Sequence, residues 1–387
     1  MKKNLTLYPD TFLWTKGAFG LLYNAKNYQS YEFVLTPFLS DLSHRLLDFS
    51  NFYSVDIDDE DMDEADRDFL CQVENRHLGV LREAGIRKTV SLPPLLCLQR
   101  GRKGKSDFMM DEFLLDLTSV LFYMGGNGWE GQFQLQAEYP FRSPEYLPVE
   151  RLLPYLEKLY PFRQCSVRLL FSDMAHYPGA GMLMDRLSPW EKRLSLSVRA
   201  SEAGLLAGWA RGRGFGVEIL HDVQIEGAAG LEDYGMDEVH VFFVKNTAGL
   251  EAASRFAEGL PHVRFVPLFT GKNKDFLEEN VFLTREELLS SRVSKRIVFA
   301  HDVLNTHYYG KLVVMPDGKV HSHPGKPPLG DMDSSLHQIV KAEENENCAW
   351  KVLRNKGKCV RCLYRHLCPS PMWYEDLMGC PCILKRE

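Results

Sequence analysis

Cysteine is the residue type whose spacing in this sequence most directly implies chemistry. Nine occur in 387 residues, and six of them fall in the last forty: Cys348, Cys359-Val-Arg-Cys362, Cys368 and Cys380-Pro-Cys382. Thiolates separated by two to about a dozen residues can converge on one ion or cluster. Four of them suit either tetrahedral zinc or a 4Fe–4S cluster, and spacing alone admits both. The candidate ligand set is Cys359, Cys362, Cys368 and either Cys382 or Cys380. Cys348 reads as an ordinary packed residue, and Cys71, Cys97 and Cys165 read as core.

Other groups carry weaker chemical signals. His321-Ser-His323, with His307, offers imidazoles for a second metal, but histidines in a Pro-rich loop are usually solvated. Asp58-Asp-Glu-Asp61 lacks the central glycine of a calcium loop and reads as an acidic helix approach. Gly101-Arg-Lys-Gly-Lys-Ser106 imitates a phosphate-binding loop, yet that motif needs glycine where Gln99 stands. Polar residues near strand ends, Glu138, Asp173, His221 and Lys245, have no mutual placement in the sequence, so no catalytic residue is assigned.

The elements that must position these groups divide the chain in three. Over 1–88, strand-like stretches Leu5–Tyr8, Phe12–Thr15, Leu21–Asn24 and Ser30–Val34 alternate with turn residues. A helix follows Pro37, with Leu39, Leu42, Leu46 and Leu47 on one face. A second stripe, Phe69, Val73, Leu78 and Leu81, predicts another helix ending at Ala84-Gly85. Over 89–300, apolar strands alternate with helices: Leu95–Leu98, Gln132–Ala137, Val167–Phe171, Leu194–Val198, Val217–Leu220, Val239–Val244, Val263–Leu268 and Ile297–Ala300. Helical stretches Asp111–Phe122 and Val149–Leu159 lie between them, the pattern of βα units. Their number suits a partial (β/α)6 barrel rather than a full eight-fold one. Over 301–387, Lys311–Val320 reads as a hairpin around Pro316-Asp-Gly318, followed by a Pro/Gly-rich loop and the cysteines.

Composition narrows the class. Hydrophobic residues make up 45% and charged residues 25%, ordinary for a globular protein, and the net charge of −6 argues against nucleic acid as main partner. No apolar run approaches the roughly 18–20 residues of a membrane span. The N-terminus lacks the apolar stretch of a signal peptide. A cytoplasmic protein is expected, where clustered cysteines are ligands rather than disulfides.

The tail Trp350…Cys359-x2-Cys362-x5-Cys368-Pro-Ser-Pro-x-Trp-Tyr374-Glu375 resembles the SPASM domains of pseudo-radical-SAM proteins associated with Gly-Gly-leader peptides. The start, Leu7-Tyr-Pro-Asp-x-Phe12-x-Trp14 and Gly20-Leu-Leu-Tyr-Asn24, is similar to the same branch. The resemblance implies a degenerate radical-SAM-like partial barrel between a small α+β winged-helix, leader-recognition-like module and a SPASM-like tail. In the active family a Cys-x3-Cys-x2-Cys loop after the first strand holds the radical-generating cluster. Here the strand Pro94–Gln99 is followed by the 101–106 loop without cysteine, so radical generation and S-adenosylmethionine are not expected. Of two auxiliary clusters, one set is complete: Cys359, Cys362, Cys368 and Cys382 (or Cys380). The other is lost, with His323 at the Gly318-x4 position, Met372 after Cys368-x3 and His307 at the remaining upstream position.

The resemblance therefore implies a non-radical accessory or scaffold protein in peptide maturation, binding a precursor peptide or an active radical-SAM maturase. It would carry one 4Fe–4S cluster, with zinc the alternative. Leader capture would add the peptide as a strand to a sheet edge, with Tyr23, Tyr28, Tyr31 and Phe33 lining the groove or covering the module's own core. Two other readings stand beside it: an enzyme that relays electrons through the residual cluster, and a zinc-stabilised binding protein.

Overall fold

The computed structural model describes residues 2–58, 60, 62–85, 91–94, 114, 116–127, 136, 139, 142–210, 213–222, 238–380 and 382–385. The strands expected at Leu95–Leu98 and Gln132–Ala137, the 101–106 loop, Cys97 and Glu138 are called on residues outside this set, save Gln136.

The chain begins with strands β1 (Lys2–Leu7), β2 (Thr11–Lys16), β3 (Phe19–Asn24) and β4 (Ser30–Val34), then helix α1 (Pro37–Leu47). Strand β5 (Ser54–Asp58), helix α2 (Glu64–Asn75) and strand β6 (Gly79–Glu83) follow. The strands form two antiparallel three-stranded sheets, β5-β1-β6 and β2-β3-β4. Helix α1 starts where Thr36 accepts the Leu39 amide with its side chain and Pro37 fills the first turn. Asp63 and Asp66 form a capping box at the start of α2. Leu39, Leu42 and Leu46 of α1 and Phe69, Leu70 and Val73 of α2 bury against Leu5, Leu7, Leu22, Val55 and Ile57. The second helix is shorter than its apolar stripe predicts. It ends at Asn75, His77 takes a left-handed φ of 52°, and Leu81 lies instead in β6, paired with Leu5 of β1.

A ten-stranded sheet dominates the rest. Its strands are β7 (Ser119–Gly126), β8 (Ser143–Tyr146), β9 (Ser166–Phe171), β10 (Leu194–Arg199), β11 (Gly216–Asp222) and β12 (Glu238–Val244). They are completed by β13 (Val263–Pro267), β14 (Lys311–Val314), β15 (Lys319–His321) and β16 (Gly330–Asp331). The order is β13-β12-β11-β10-β9-β7-β14-β15-β16, with β8 beside β7. Every pairing from β13 to β14 is parallel, and β14, β15 and β16 then run antiparallel. This is a mixed α/β protein with a large, mostly parallel sheet. On one face Val120, Phe122, Val167, Leu169, Leu196 and Ile219 meet Leu152, Leu156, Leu183 and Leu206 of the connecting helices. On the other, Leu121, Tyr123, Leu170, Leu220, Val241, Phe243 and Val313 share a second core. Burial on both faces makes these strands continuous apolar runs, as parallel strands require.

Two further expectations are corrected. The helix placed over Asp111–Phe122 cannot extend to its end, because β7 begins at Ser119. Ile297–Ala300, expected as a strand, lies in a helix from Lys295 to Val303 started by the Ser294 side chain, which accepts the Ile297 amide. The first end of β7 was hidden by its flanking sequence; its other end carries a backbone constraint. Gly125 has φ +84°, and a Cβ there would fall 2.1 Å from the Glu145 carbonyl oxygen of the β8 strand. Gly125→Ala is expected to destabilise the protein by more than about 1 kcal/mol, measured by chemical denaturation.

The N-terminal sheet does not stand apart from the tail. Phe12, Leu21 and Tyr23 share a core with Phe282, Leu288, Val298, Leu367, Cys368 and Ile383. The Tyr23 hydroxyl donates to the Val293 carbonyl at 2.7 Å and accepts from its amide at 2.9 Å. Trp14 stacks on His366 with centroids 5.3 Å apart, and Lys295 pairs with Asp10 at 3.0 Å. No helix among the described residues is long and apolar enough to cross a membrane.

Candidate metal centre in the C-terminal tail

The cysteine segment is anchored before its first ligand candidate. Glu343, near the end of helix Leu336–Glu346, accepts the Ala349 and Trp350 amides at 2.8 and 2.7 Å. The buried Trp350 indole donates to the Lys311 carbonyl of β14 at 2.9 Å. From there the chain passes through Arg354 into a 3-10 turn, Gly357–Arg361, that carries Cys359. The Cys362 amide donates to the Cys359 carbonyl, and the Leu367 and Cys368 amides both donate to the Tyr364 carbonyl. A short helix, Trp373–Met378, then turns at Gly379, whose φ is +60°, and delivers Cys380 and Cys382.

Cys359 and Cys368 are buried, while Cys362 and Cys382 are half-buried. Burial pushes the Cys368 thiol up to about 12; the Arg354 guanidinium pulls the other way, and Glu375, Cys382 and Cys362 add to the rise. Cys362 is likewise raised, by burial first, with the charges of Cys359 and Cys382 adding to it. Cys362 thus lies near Cys359 and Cys382, and Cys368 near Cys362 and Cys382. The Cys380 thiol donates to the Cys382 carbonyl at 3.3 Å. Among the described residues no three His, Cys, Asp or Glu side chains stand close enough to hold a single metal ion.

A positive charge sits inside this acidic set. Arg354 is 5% exposed and binds Glu375 through two parallel bonds, Nη1 to Oε2 at 2.9 Å and Nη2 to Oε1 at 2.7 Å. Its Nε donates to the Pro369 carbonyl. Burial opposes its charge, but Glu375 and the Cys368 and Cys359 thiolates outweigh that and raise its pKa. Glu375 also accepts the Met372 amide at 3.0 Å, which fixes the start of the Trp373–Met378 helix. Cys359, Cys362, Cys368 and Cys382 are thiols of the type that zinc and iron–sulfur groups take, beside a buried cation, but as described they do not converge on one ion.

The other expected residues scatter. Cys348 is half-buried and Cys165 buried, whereas Cys71 is exposed on α2 rather than in the core. His321 donates Nδ1–H to the Lys326 carbonyl at 2.8 Å, and His307 and His323 line one cavity. Of the four aromatic residues, Tyr23 and Tyr28 pack toward the tail, while Tyr31 and Phe33 stack on each other and meet Phe69 of α2. They cover two different faces of the β2-β3-β4 sheet. At the strand ends, Lys245 and Asp222 form a buried ion pair at 3.1 Å. Asp173 binds His176 at 2.8 Å; burial opposes its charge, but His176 and Arg199 hold its carboxyl below the usual range. His221 stacks on Phe242, bonds the His240 ring at 3.0 Å and is pushed down to about 4 by burial. Arg354 and Asp222, the partner of Lys245, were not singled out from the sequence; a lone arginine five residues before Cys359 carries no motif of its own.

No family model matches this sequence, and no curated protein does. Among solved structures, SuiB from Streptococcus suis is 11% identical, with 97% of this chain and 96% of SuiB covered at a TM-score of 0.40. SuiB bound to the precursor peptide SuiA is also 11% identical, covers 97% of each chain and has a TM-score of 0.43. Native anSMEcpe with bound AdoMet and the Cp18Cys peptide is 15% identical over 65% of this chain and 87% of its own, at a TM-score of 0.42. These are loose likenesses in the path of the chain, and they assign nothing to the cysteine site.

Proposed function

We propose that this chain is a non-radical accessory protein in the maturation of ribosomally synthesised Gly-Gly-leader peptides. It binds a precursor peptide, or an active maturase carrying one, and acts as a scaffold of three parts, 1–88, 89–300 and 301–387. The observation that supports this reading is the mutual electrostatic influence of Cys362 and Cys368 with Cys359, Cys382 and Arg354, in a tail that shares a core with β2 and β3. In that arrangement Cys359, Cys362, Cys368 and Cys382 hold one thiolate-bound group, a 4Fe–4S cluster or, as the alternative, zinc. A cluster held by four cysteines has no open iron, so it supplies structure or electron passage rather than a substrate site. Arg354 offsets the thiolate charge, Glu375 holds Arg354 in place, and Cys368 ties the group to the surface on which Tyr23 and Phe12 rest.

Peptide capture falls to the β4 edge. β4 pairs only with β3 among the described strands. Its register places Tyr31 opposite Leu22 and Phe33 opposite Gly20, and the Leu35 amide donates to Ala18. Antiparallel alternation then directs the backbone groups of Glu32 and Val34 away from β3, where an extended leader can add as a strand. Val34 is 60% exposed, so a substitution there tests the edge without opening the core. A fluorescently labelled Gly-Gly-leader precursor is expected to bind the full chain, and Val34→Pro to weaken binding at least about tenfold by removing one edge donor. No binding by the unsubstituted protein, alone or with a maturase, overturns the reading.

A second reading, electron relay through the residual cluster, rests on the same thiols. It is favoured if a Cys-to-Ala variant at all four positions loses peptide modification while keeping precursor binding and maturase contact.

A further inference from the structure

The open part of the β4 edge is short, and both of its ends are closed. Tyr31 and Phe33 exchange their backbone bonds with β3, so Ser30, Glu32 and Val34 direct theirs outward. The Ser30 carbonyl already accepts from Arg76 Nη1 at 2.7 Å, and Arg76 also lies over the Tyr31 ring. Beyond Val34 the chain enters α1 at Pro37, with the Thr36 side chain capping the helix. An added strand is therefore held by the amides and carbonyls of Glu32 and Val34, each facing one residue of the incoming segment.

That register decides which side chains meet. Val34 stands opposite Phe19 and Glu32 opposite Leu21, so these four residues share one face of the sheet. Phe19 is 57% and Val34 60% exposed, an uncovered apolar pair at the edge. Leu21 is fully buried, in a core shared with Leu288 of helix Arg285–Ser290. Arg285 of that helix bonds the Glu32 carboxylate through Oε2. The helix is itself fixed, by the capping box of Thr284 and Glu287 and by the Leu283 amide, which donates to the Ile383 carbonyl at 2.9 Å. Glu32 Oε1 has no hydrogen-bond partner, so the carboxylate keeps acceptor capacity. Lys16, the other charge that the strand register puts on this face, is opposite Phe19 on β2 and so two strands from the edge.

Residues directly opposite on one face have Cβ atoms about 5 Å apart, where opposite charges attract and like charges repel. Glu32 is on the edge strand itself, so its carboxylate is the charge nearest to the residue that faces it. Arg285 reaches the site from the helix and is already engaged with that carboxylate.

We propose that β4 selects a precursor segment by an apolar residue opposite Val34 and a lysine or arginine opposite Glu32. β2, β3 and β4 are antiparallel, and the added strand continues that alternation. In the segment the apolar residue then precedes the cation by two positions, and the residue between them points to the other face. The inference rests on β4 being the peptide edge, and it names the kind of segment taken there.

The test is fluorescence anisotropy of the full chain with labelled threonine-based peptides that carry phenylalanine and, two residues later, lysine. Saturable binding is expected. Replacing the lysine with glutamate, or the phenylalanine with aspartate, should each weaken it about three- to fivefold. Reversing the order of the two residues should weaken it too. Glu32→Gln should abolish the preference for lysine over glutamate, and Glu32→Lys should invert it. Val34→Asp should remove the preference for phenylalanine. Each preference is a ratio of two peptides on one variant, so a general loss of stability does not imitate it. Preferences that persist unchanged in Glu32→Lys and Val34→Asp overturn the proposal, as does binding indifferent to the lysine and the phenylalanine. If these peptides fail to bind while the labelled Gly-Gly-leader precursor binds and Val34→Pro weakens it, capture at the edge stands and this selection falls. If the precursor fails as well, the edge reading falls with it.

Discussion

Arg354→Leu is expected to destabilise the protein by about 3–5 kcal/mol, because it leaves the Glu375 carboxylate buried and unpaired. Glu375 is 7% exposed and receives both guanidinium bonds, so little water is at hand to replace them. Denaturant unfolding measures the loss. The double variant Arg354→Leu/Glu375→Leu should recover part of it, since removing both partners of a buried pair leaves no orphan charge. Recovery will be incomplete, because Glu375 also accepts the Met372 amide at the start of the Trp373–Met378 helix. Metal content separates the two roles of the arginine. Without Arg354, Cys368 loses the cation that favours its thiolate form. The double variant should therefore hold less metal than the unsubstituted protein even where its stability has partly returned. Equal metal content in the double variant would make Arg354 a stabilising partner of Glu375 and nothing more.

Cys382→Ser is expected to remove most bound metal, whereas Cys380→Ser should leave it nearly unchanged. The two cysteines are separated by one proline and look interchangeable in the sequence. In the fold they differ: the charge of Cys382 acts on both Cys362 and Cys368, while Cys380 spends its thiol on the Cys382 carbonyl. Loss of a structural thiolate commonly destroys a four-ligand site, because the remaining three leave a coordination position open. Metal per chain, measured on both variants after identical purification, reads the difference directly. The reverse pattern, with Cys380 required and Cys382 dispensable, would reassign the fourth ligand.

What could be read from the sequence follows from the physics of each signal. Val167–Phe171, Leu194–Val198, Val217–Leu220 and Val239–Val244 all became strands of the large sheet, because burial on both faces leaves an unbroken apolar run. Ile297–Ala300 carries the same short apolar signature but belongs to a helix; four residues cannot distinguish the two periods, and the deciding signal was Ser294 three residues ahead. Ser54–Asp58 was missed as a strand because its alternation ran into the acidic stretch that follows. The aromatic residues divide between two faces because a strand pair has a register. Tyr23 stands opposite Ser30 and Leu22 opposite Tyr31, so Tyr23 and Tyr31 point to opposite sides of the sheet. The cysteine spacing suggests a site, but neither the proposed preference for Cys382 over Cys380 nor the charge placed by Arg354 is local. Both depend on how the chain from Trp350 to Ile383 folds back across helix Trp373–Met378.

The proposed four-thiolate site is the centre of the account, and metal content of the unsubstituted protein tests it most directly. Purified without oxygen, the full chain should carry about four irons and four acid-labile sulfides, or about one zinc for the alternative clasp. Either result places a bound group at Cys359, Cys362, Cys368 and Cys382 once the Cys382→Ser variant loses it. A chain that holds neither iron nor zinc, purified without oxygen or chelators, would contradict the site and with it the proposed role of the tail.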